Sequence, residues 1–87
     1  MSANDRIRKF ITTNFYVADA STLADDTSLL DQGIVDSTGV LEVVAFVEEE
    51  FGIRVADEEM LPENLDSIAC IAAFIARKEV KLKAAGA

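Results

Sequence analysis

Residues 29–51, LLDQGIVDSTGVLEVVAFVEEEF, decide the fold. Within this stretch, apolar residues recur at spacings of three and four, which predicts an amphipathic helix from Ser37 to Phe51. Asp36 precedes it and is a residue type that caps helix N-termini, while Gly52 follows it and is typical of helix ends. The buried face of this helix is expected to consist of Val40, Val43, Val44, Val47 and Phe51.

Similar patterns predict three further helices and no strand. A first helix runs from about Ala3 to Phe15, with Ser2 and Asp5 spaced as in a capping box. Pro62 begins or adjoins a short third helix around Pro62–Leu65. Asp66 is expected to cap a fourth helix, whose apolar side consists of Ile68, Ile71, Ala72, Phe74 and Ile75. The expected fold is a small all-α bundle of four helices, with a short third helix and a long first loop.

The loop, residues 17–35, is expected to pack on the helices, because it contains the aliphatic residues Leu23, Leu29, Leu30, Ile34 and Val35. The chain has 87 residues, the size of one small domain. Apolar periodicity is lost beyond Lys78. We therefore expect a single domain over residues 1–80 and a frayed tail over residues 81–87.

The composition excludes several classes of protein. Histidine is absent, so no Ser-His-Asp or Cys-His catalytic unit can form, and Cys70 alone cannot supply a zinc site. No metal site is expected. A single cysteine fits a reducing cytoplasm. No apolar stretch approaches the roughly 20 residues that span a bilayer. The first residues are not followed by an apolar run, so we expect no secretory signal.

The charge is concentrated in the middle of the chain. Residues 25–66 contain thirteen acidic residues and one basic residue, a net charge of −12, whereas the whole chain carries −8. Such a surface repels nucleic acid and attracts basic protein partners. The alternative is that the acids only keep the protein in solution.

Ser37 is the candidate functional residue. It follows Asp36 in the first turn of a long helix, where free backbone N–H groups and the positive end of the helix dipole favour a phosphodiester. A serine at a loop–helix junction is also accessible to a modifying enzyme. The structural alternative is an ordinary serine near a helix start.

The chain resembles the phosphopantetheine-dependent carrier proteins, which include the acyl, peptidyl and aminoacyl carriers. The resemblance covers about residues 5–78. It rests on a leucine and a glycine in the loop, an Asp-Ser pair, and an amphipathic acidic helix closed by Phe-Gly. These features are Leu30, Gly33, Asp36-Ser37, Glu42, Glu48-Glu49-Glu50, Phe51-Gly52-Ile53 and the downstream Asp66-Ser67-Ile68.

The resemblance implies that Ser37 carries a covalent 4′-phosphopantetheine arm, on whose thiol an acyl group is held as a thioester. Asp36 would support the attachment by helping a transferase to position magnesium. The protein itself would be a monomeric carrier and not an enzyme, because the arm supplies the reactive sulfur. The implied partners are a phosphopantetheinyl transferase, a loading ligase and downstream transferases with basic docking surfaces.

One departure from the family pattern affects the cargo. Thr38 replaces the leucine that usually follows the serine, and Gly39 comes next, so Asp-Ser-x-Gly looks more like carriers loaded by a dedicated ligase with D-alanyl or other aminoacyl groups. Thr38, Glu42 and Glu49 are the candidate partner-binding residues. Phe46 lies between the two glutamates, and it either contacts a partner or packs on the edge of the core.

Three other functions remain open at this point. The first is an ordinary acyl carrier of fatty-acid or polyketide synthesis. The second is an unmodified helical adaptor that binds a basic partner through its acidic face. The third, an enzyme that uses Ser37 directly, is disfavoured by the missing histidine.

Overall fold

The structure, a computed structural model, describes residues 2–15, 17, 21 and 23–86, with side chains described as far as residue 80. The helices are α1 (Ala3–Asn14), α2 (Ser37–Phe51), α3 (Pro62–Leu65) and α4 (Ile68–Gly86), and a 3₁₀ turn covers Asp57–Glu59. The described residues contain no strand, and the predicted all-α bundle is confirmed. Within the same residues, no helix has the length and apolar character needed to cross a membrane.

The predicted caps explain where α1 and α2 begin and end. The Ser2 side chain accepts a hydrogen bond from the Asp5 N–H, and that of Asp36 accepts one from the Gly39 N–H. Gly52 ends α2 in the left-handed region, with a φ of 67° that glycine adopts without a steric penalty. The bounds of α2 agree with the prediction, and α1 ends one residue earlier than predicted.

Helices α1 and α2 run antiparallel and are joined by aromatic side chains. The rings of Phe10 and Phe46 stack with centroids 4.2 Å apart, and Phe46 meets Phe51 edge to face. Near the start of α1, Arg6 pairs with Glu50, which is near the end of α2. The Arg6 guanidinium lies 4.6 Å from the centroid of the Phe51 ring. Aromatic pairs of this kind add about 0.5–1.5 kcal/mol beyond the area that they bury.

The core lies between the helices and the long loop. Loop residues Leu23, Leu29 and Val35 are buried with the helices, as their aliphatic side chains predicted. Residues 18–20 and 22 of that loop lie outside the described residues. The helical residues that are fully buried are Ile7, Ile11, Val43, Val47, Ile68, Ile71 and Ile75.

The cap of α4 differs from the prediction. The Ser67 hydroxyl, not the Asp66 carboxylate, accepts the hydrogen bond from the Cys70 N–H at 3.0 Å. The Asp66 carboxylate accepts instead from the Ser28 hydroxyl at 2.7 Å and from the Leu30 N–H at 3.0 Å. The Asp66 side chain cannot cap α4 while it binds the loop, so Ser67, the next residue, caps the helix instead.

Helix α4 continues past Lys78, where the apolar periodicity is lost, to Gly86. The residues between them are mostly Lys, Leu and Ala, which have high helix propensity. Lys78 itself binds Glu59 through its ammonium group at 2.9 Å, which attaches the 3₁₀ turn to α4. The division into a domain over 1–80 and a fraying tail stays a prediction.

Candidate functional site

Ser37 is the first residue of α2, at the junction with the long loop. Its side chain is exposed, and no residue that the structure describes hydrogen-bonds to its hydroxyl. An exposed hydroxyl without an internal partner is accessible to an enzyme, and modifying it breaks no hydrogen bond of the fold. Thr38, the next residue, is also exposed.

The other serines are less suited to modification. Ser67 is buried and caps α4, while the Ser28 hydroxyl donates to Asp66 and accepts from the Asp31 N–H. Ser2 is exposed, but its hydroxyl caps α1. Ser21 is exposed and makes an interaction of its own. The geometry therefore favours Ser37 over the hydroxyls that hold turns and helix ends together.

Asp36 caps the start of α2 and, within the described residues, leaves two backbone donors beside it unused. Its Oδ1 accepts from the Gly39 N–H at 2.6 Å, and its carbonyl accepts from the Val40 N–H at 3.0 Å. The backbone N–H groups of Ser37 and Thr38 keep no acceptor within the described part of the chain. Two free donors at the positive end of a 15-residue helix suit a phosphodiester on the adjacent hydroxyl.

An apolar groove of about 350 Å³ opens beside Ser37. It separates the start of α2 from the segment that contains α3. We call it the Ser37 groove, and it is lined by Leu30, Ser37, Val40, Leu41, Met60, Leu61, Pro62 and Leu65. Leu41 and Leu61 expose 58% and 41% of their surface there. The groove was not predicted from the sequence, although Leu41, an aliphatic residue outside the predicted buried face of α2, was a usable signal.

The acidic residues of α2 divide into two groups. Glu42 and Glu49 are exposed, and neither has an ion-pair partner among the described residues. Glu50 pairs with Arg6, and the Glu48 carboxylate accepts from the Val55 N–H at 2.9 Å, so both of these support the fold.

Of the predicted partner-binding residues, Thr38 is adjacent to Ser37, whereas Glu42 and Glu49 lie farther along α2. Along α2, Glu42 lies about 8 Å and Glu49 about 18 Å from Ser37, at 1.5 Å per residue. Phe46 is half-buried and stacks on Phe10, which supports the core-edge interpretation over the partner contact. Cys70 is a free, half-buried cysteine, and the described residues contain no cluster of potential ligands for a metal ion.

Comparison with known proteins identifies the type of site. Residues 5–75 match the family model described as a phosphopantetheine attachment site. The match covers most of α1, the long loop, α2, α3 and the first part of α4, so it is not confined to the motif around Ser37.

Three similar proteins are carriers by name. The D-alanyl carrier protein of Abiotrophia defectiva is 32% identical over 57 residues, which are 66% of this chain and 72% of that protein. An acyl carrier protein of Akkermansia muciniphila is 35% identical over 85% of this chain and 89% of its own. An acyl carrier protein of Solidesulfovibrio magneticus is 27% identical over 91% of this chain and 97% of its own.

Proposed function

Because this chain belongs to the family of phosphopantetheine-attachment carrier proteins, we propose that it carries acyl or aminoacyl groups as thioesters on an arm attached to Ser37. The family is one of carriers and not of enzymes, and its prosthetic group is 4′-phosphopantetheine, held covalently on a serine. The choice of Ser37 rests on one observation: its hydroxyl is exposed and unbonded at the start of α2.

The residues around Ser37 fit the arm. The Ser37 hydroxyl loses its proton, and its oxygen bonds to the phosphorus of the arm as the pyrophosphate bond of coenzyme A breaks and adenosine 3′,5′-bisphosphate leaves. The N–H groups of Ser37 and Thr38 are available to the oxygens of the resulting phosphodiester. Asp36 keeps this turn capped and offers a carboxylate to the magnesium ion of the transferase. The arm supplies a terminal thiol, which this chain lacks at the site, since its single cysteine, Cys70, is on α4.

Intact mass spectrometry tests this proposal. Incubation of the purified protein with coenzyme A, magnesium and a broad-specificity phosphopantetheinyl transferase should add one phosphopantetheine group per chain. An unchanged mass would favour the alternative of an unmodified helical adaptor that binds a basic partner. A cytoplasmic location belongs to the proposal and rests on the single cysteine.

We further propose that Glu42 and Glu49 bind the basic surfaces of the transferase, the loading ligase and downstream enzymes, with Thr38 contacting the same partners beside the serine. The support is that both carboxylates are exposed and unpaired within the described residues, in the most acidic part of the chain. Because these carboxylates are unpaired within the described part of the chain, their negative charge can attract the basic surface of an approaching partner.

Charge reversal should separate docking from stability. We expect Glu42→Lys with Glu49→Lys to slow loading several-fold at low salt, because steering by exposed charges dominates the association rate. The effect should shrink as salt rises, since screening acts over about 10 Å at 0.1 M. Asp26→Lys with Glu79→Lys is the matched control, because it changes the net charge equally at exposed positions outside α2. Equal loading rates for the two double variants at low salt would refute the docking role.

For the cargo, we propose a small acyl or aminoacyl group loaded by a dedicated ligase. The Asp-Ser-Thr-Gly sequence supports this, and one similar protein is named a D-alanyl carrier. Other similar proteins are named acyl carriers, and the Ser37 groove offers apolar contact to an acyl group, which supports the alternative of fatty-acid or polyketide synthesis. Beneath α2 the core is closed, because Val47 and Ile71 are 0% exposed and well-packed interiors hold few voids.

Amide chemical shifts distinguish the two kinds of cargo. A glycyl or alanyl group on the arm should shift amides only around Ser37, because a small polar group stays in solvent. A long fatty acyl group should add shifts along the Ser37 groove and leave the closed core unchanged. Large shifts at Val44, Val47 and Ile71 with the fatty group would show that the core opens, which contradicts the proposed preference.

A further inference from the structure

Gly39 lies two residues after Ser37 and has no room for a side chain. A Cβ atom at this position would lie 2.8 Å from Cε1 of Phe15, 3.2 Å from Cγ1 of Val35 and 3.3 Å from Oδ1 of Asp36. Contacts shorter than 3.0 Å force something to move. The ring of Phe15 therefore lies directly against the backbone of the first turn of α2.

The conformation of Gly39 does not itself require glycine. The glycines with positive φ in the described chain are Gly33 and Gly52, whereas Gly39 lies within helix α2. In a helix interior glycine is destabilising relative to alanine, because it loses more backbone entropy on folding. The close approach of Phe15 is the feature of the structure that accounts for glycine at this position.

The contact connects the serine turn to α1. Phe15 is the residue after the last turn of α1, and its backbone N–H donates to the Ile11 carbonyl at 2.9 Å. Its ring meets Phe10 edge to face with centroids 5.9 Å apart, and Phe10 stacks on Phe46 of α2. The first turn of α2 is thus held by the Asp36 cap and by the ring of Phe15, the residue that follows α1.

We propose that Phe15, through its contact with Gly39, is a positioning residue for the modification of Ser37. The inference rests on the proposed function, since it takes Ser37 as the acceptor. The ring fixes the turn so that the Ser37 hydroxyl points into solvent at the place where a docked transferase needs it. A misplacement of about 1 Å at a reacting group can cost as much as a hundredfold in rate.

This role predicts a change in kcat rather than in KM. The proposed docking residues, Glu42 and Glu49, lie farther along α2 than Gly39. A Cβ at Gly39 displaces the ring or the turn, so the serine is misplaced within a complex that still forms. A residue that only stabilised the fold would leave both constants unchanged under conditions where the variant remains folded.

The test measures transfer of phosphopantetheine from coenzyme A to the carrier with one transferase, at a temperature where circular dichroism shows every variant folded. We expect Gly39→Ala to lower kcat about tenfold or more, with KM within about twofold of the wild-type value. Phe15→Leu should lower kcat less, because leucine keeps part of the contact. In the double variant, Gly39→Ala with Phe15→Leu, the smaller leucine makes room for the new Cβ. The kcat of this variant should therefore recover to near that of Phe15→Leu alone.

Phe51→Leu is the matched control. Phe51 belongs to the same aromatic cluster and is half-buried, but it lies about 21 Å along α2 from Ser37, at 1.5 Å per residue. We expect this variant to lose thermal stability and to keep the wild-type kcat. An equal fall in kcat for Phe15→Leu and Phe51→Leu, or additive effects in the double variant, would overturn the inference.

The experiment distinguishes a failure of the proposed function from a failure of the positioning role. If the wild-type protein accepts no arm on Ser37, the proposed function is wrong. If the wild type is modified at Ser37 and Gly39→Ala is modified with the same kcat, the proposed function stands and the positioning role is wrong. If Gly39→Ala does not fold, the comparison of kcat between Phe15→Leu and Phe51→Leu decides whether Phe15 has the positioning role.

Discussion

Replacement of Ser37 by alanine should abolish the addition of phosphopantetheine while leaving the fold intact. The hydroxyl is the acceptor in our account, and no described residue bonds to it, so its loss removes no contact of the bundle. Asp36 still caps α2 through the Gly39 N–H, and the stability cost should stay below about 1 kcal/mol. Intact mass and urea denaturation of the same sample measure both effects.

Ser28→Ala is the informative control for this experiment. It removes a hydroxyl that donates to Asp66 and accepts from the Asp31 N–H, so it should cost more stability than Ser37→Ala. It should nevertheless be modified like the wild type. Modification of Ser37→Ala at the wild-type level would refute the assignment of the site.

Replacement of Ile71 by alanine should be among the most destabilising single changes in this chain. Ile71 is 0% exposed on α4 within the hydrophobic core. Truncation of a buried isoleucine to alanine costs about 2–5 kcal/mol, because apolar contacts are lost and a cavity remains. A domain with a total stability of about 5–15 kcal/mol loses a large share of it.

Urea denaturation measures this cost, with Val80→Ala as the control. Val80 is 67% exposed on the same helix, and we expect its truncation to change stability by less than about 0.5 kcal/mol. Similar midpoints for the two variants would mean that α4 does not contribute to the core as described.

The sequence predicted those parts of the fold that depend on local signals. Helix α2 begins after Asp36 and ends before Gly52 because the cap and the left-handed glycine are properties of single residues. The buried faces of α1, α2 and α4 follow from a spacing of three and four residues. Long-range partners were not predictable, because the loop that takes up the Asp66 carboxylate is 36 to 38 residues away in the chain.

The same distinction applies to the candidate site. Ser37 and Asp36 were predictable, because a helix start and a family pattern are visible in the sequence. The Ser37 groove and the contact of Phe15 with Gly39 were not, because each forms where distant segments meet. Glu48 and Glu50 have the same charge as Glu42 and Glu49 in the sequence, and only their contacts with Val55 and Arg6 separate the two pairs.

Localisation of the arm on the modified wild-type protein tests the central claim most directly. The modified chain is digested, and its peptides are fragmented in a mass spectrometer to find the residue that carries phosphopantetheine. We expect the arm on Ser37 alone. An arm on Ser21, Ser28 or Ser67, with Ser37 unmodified, would contradict it.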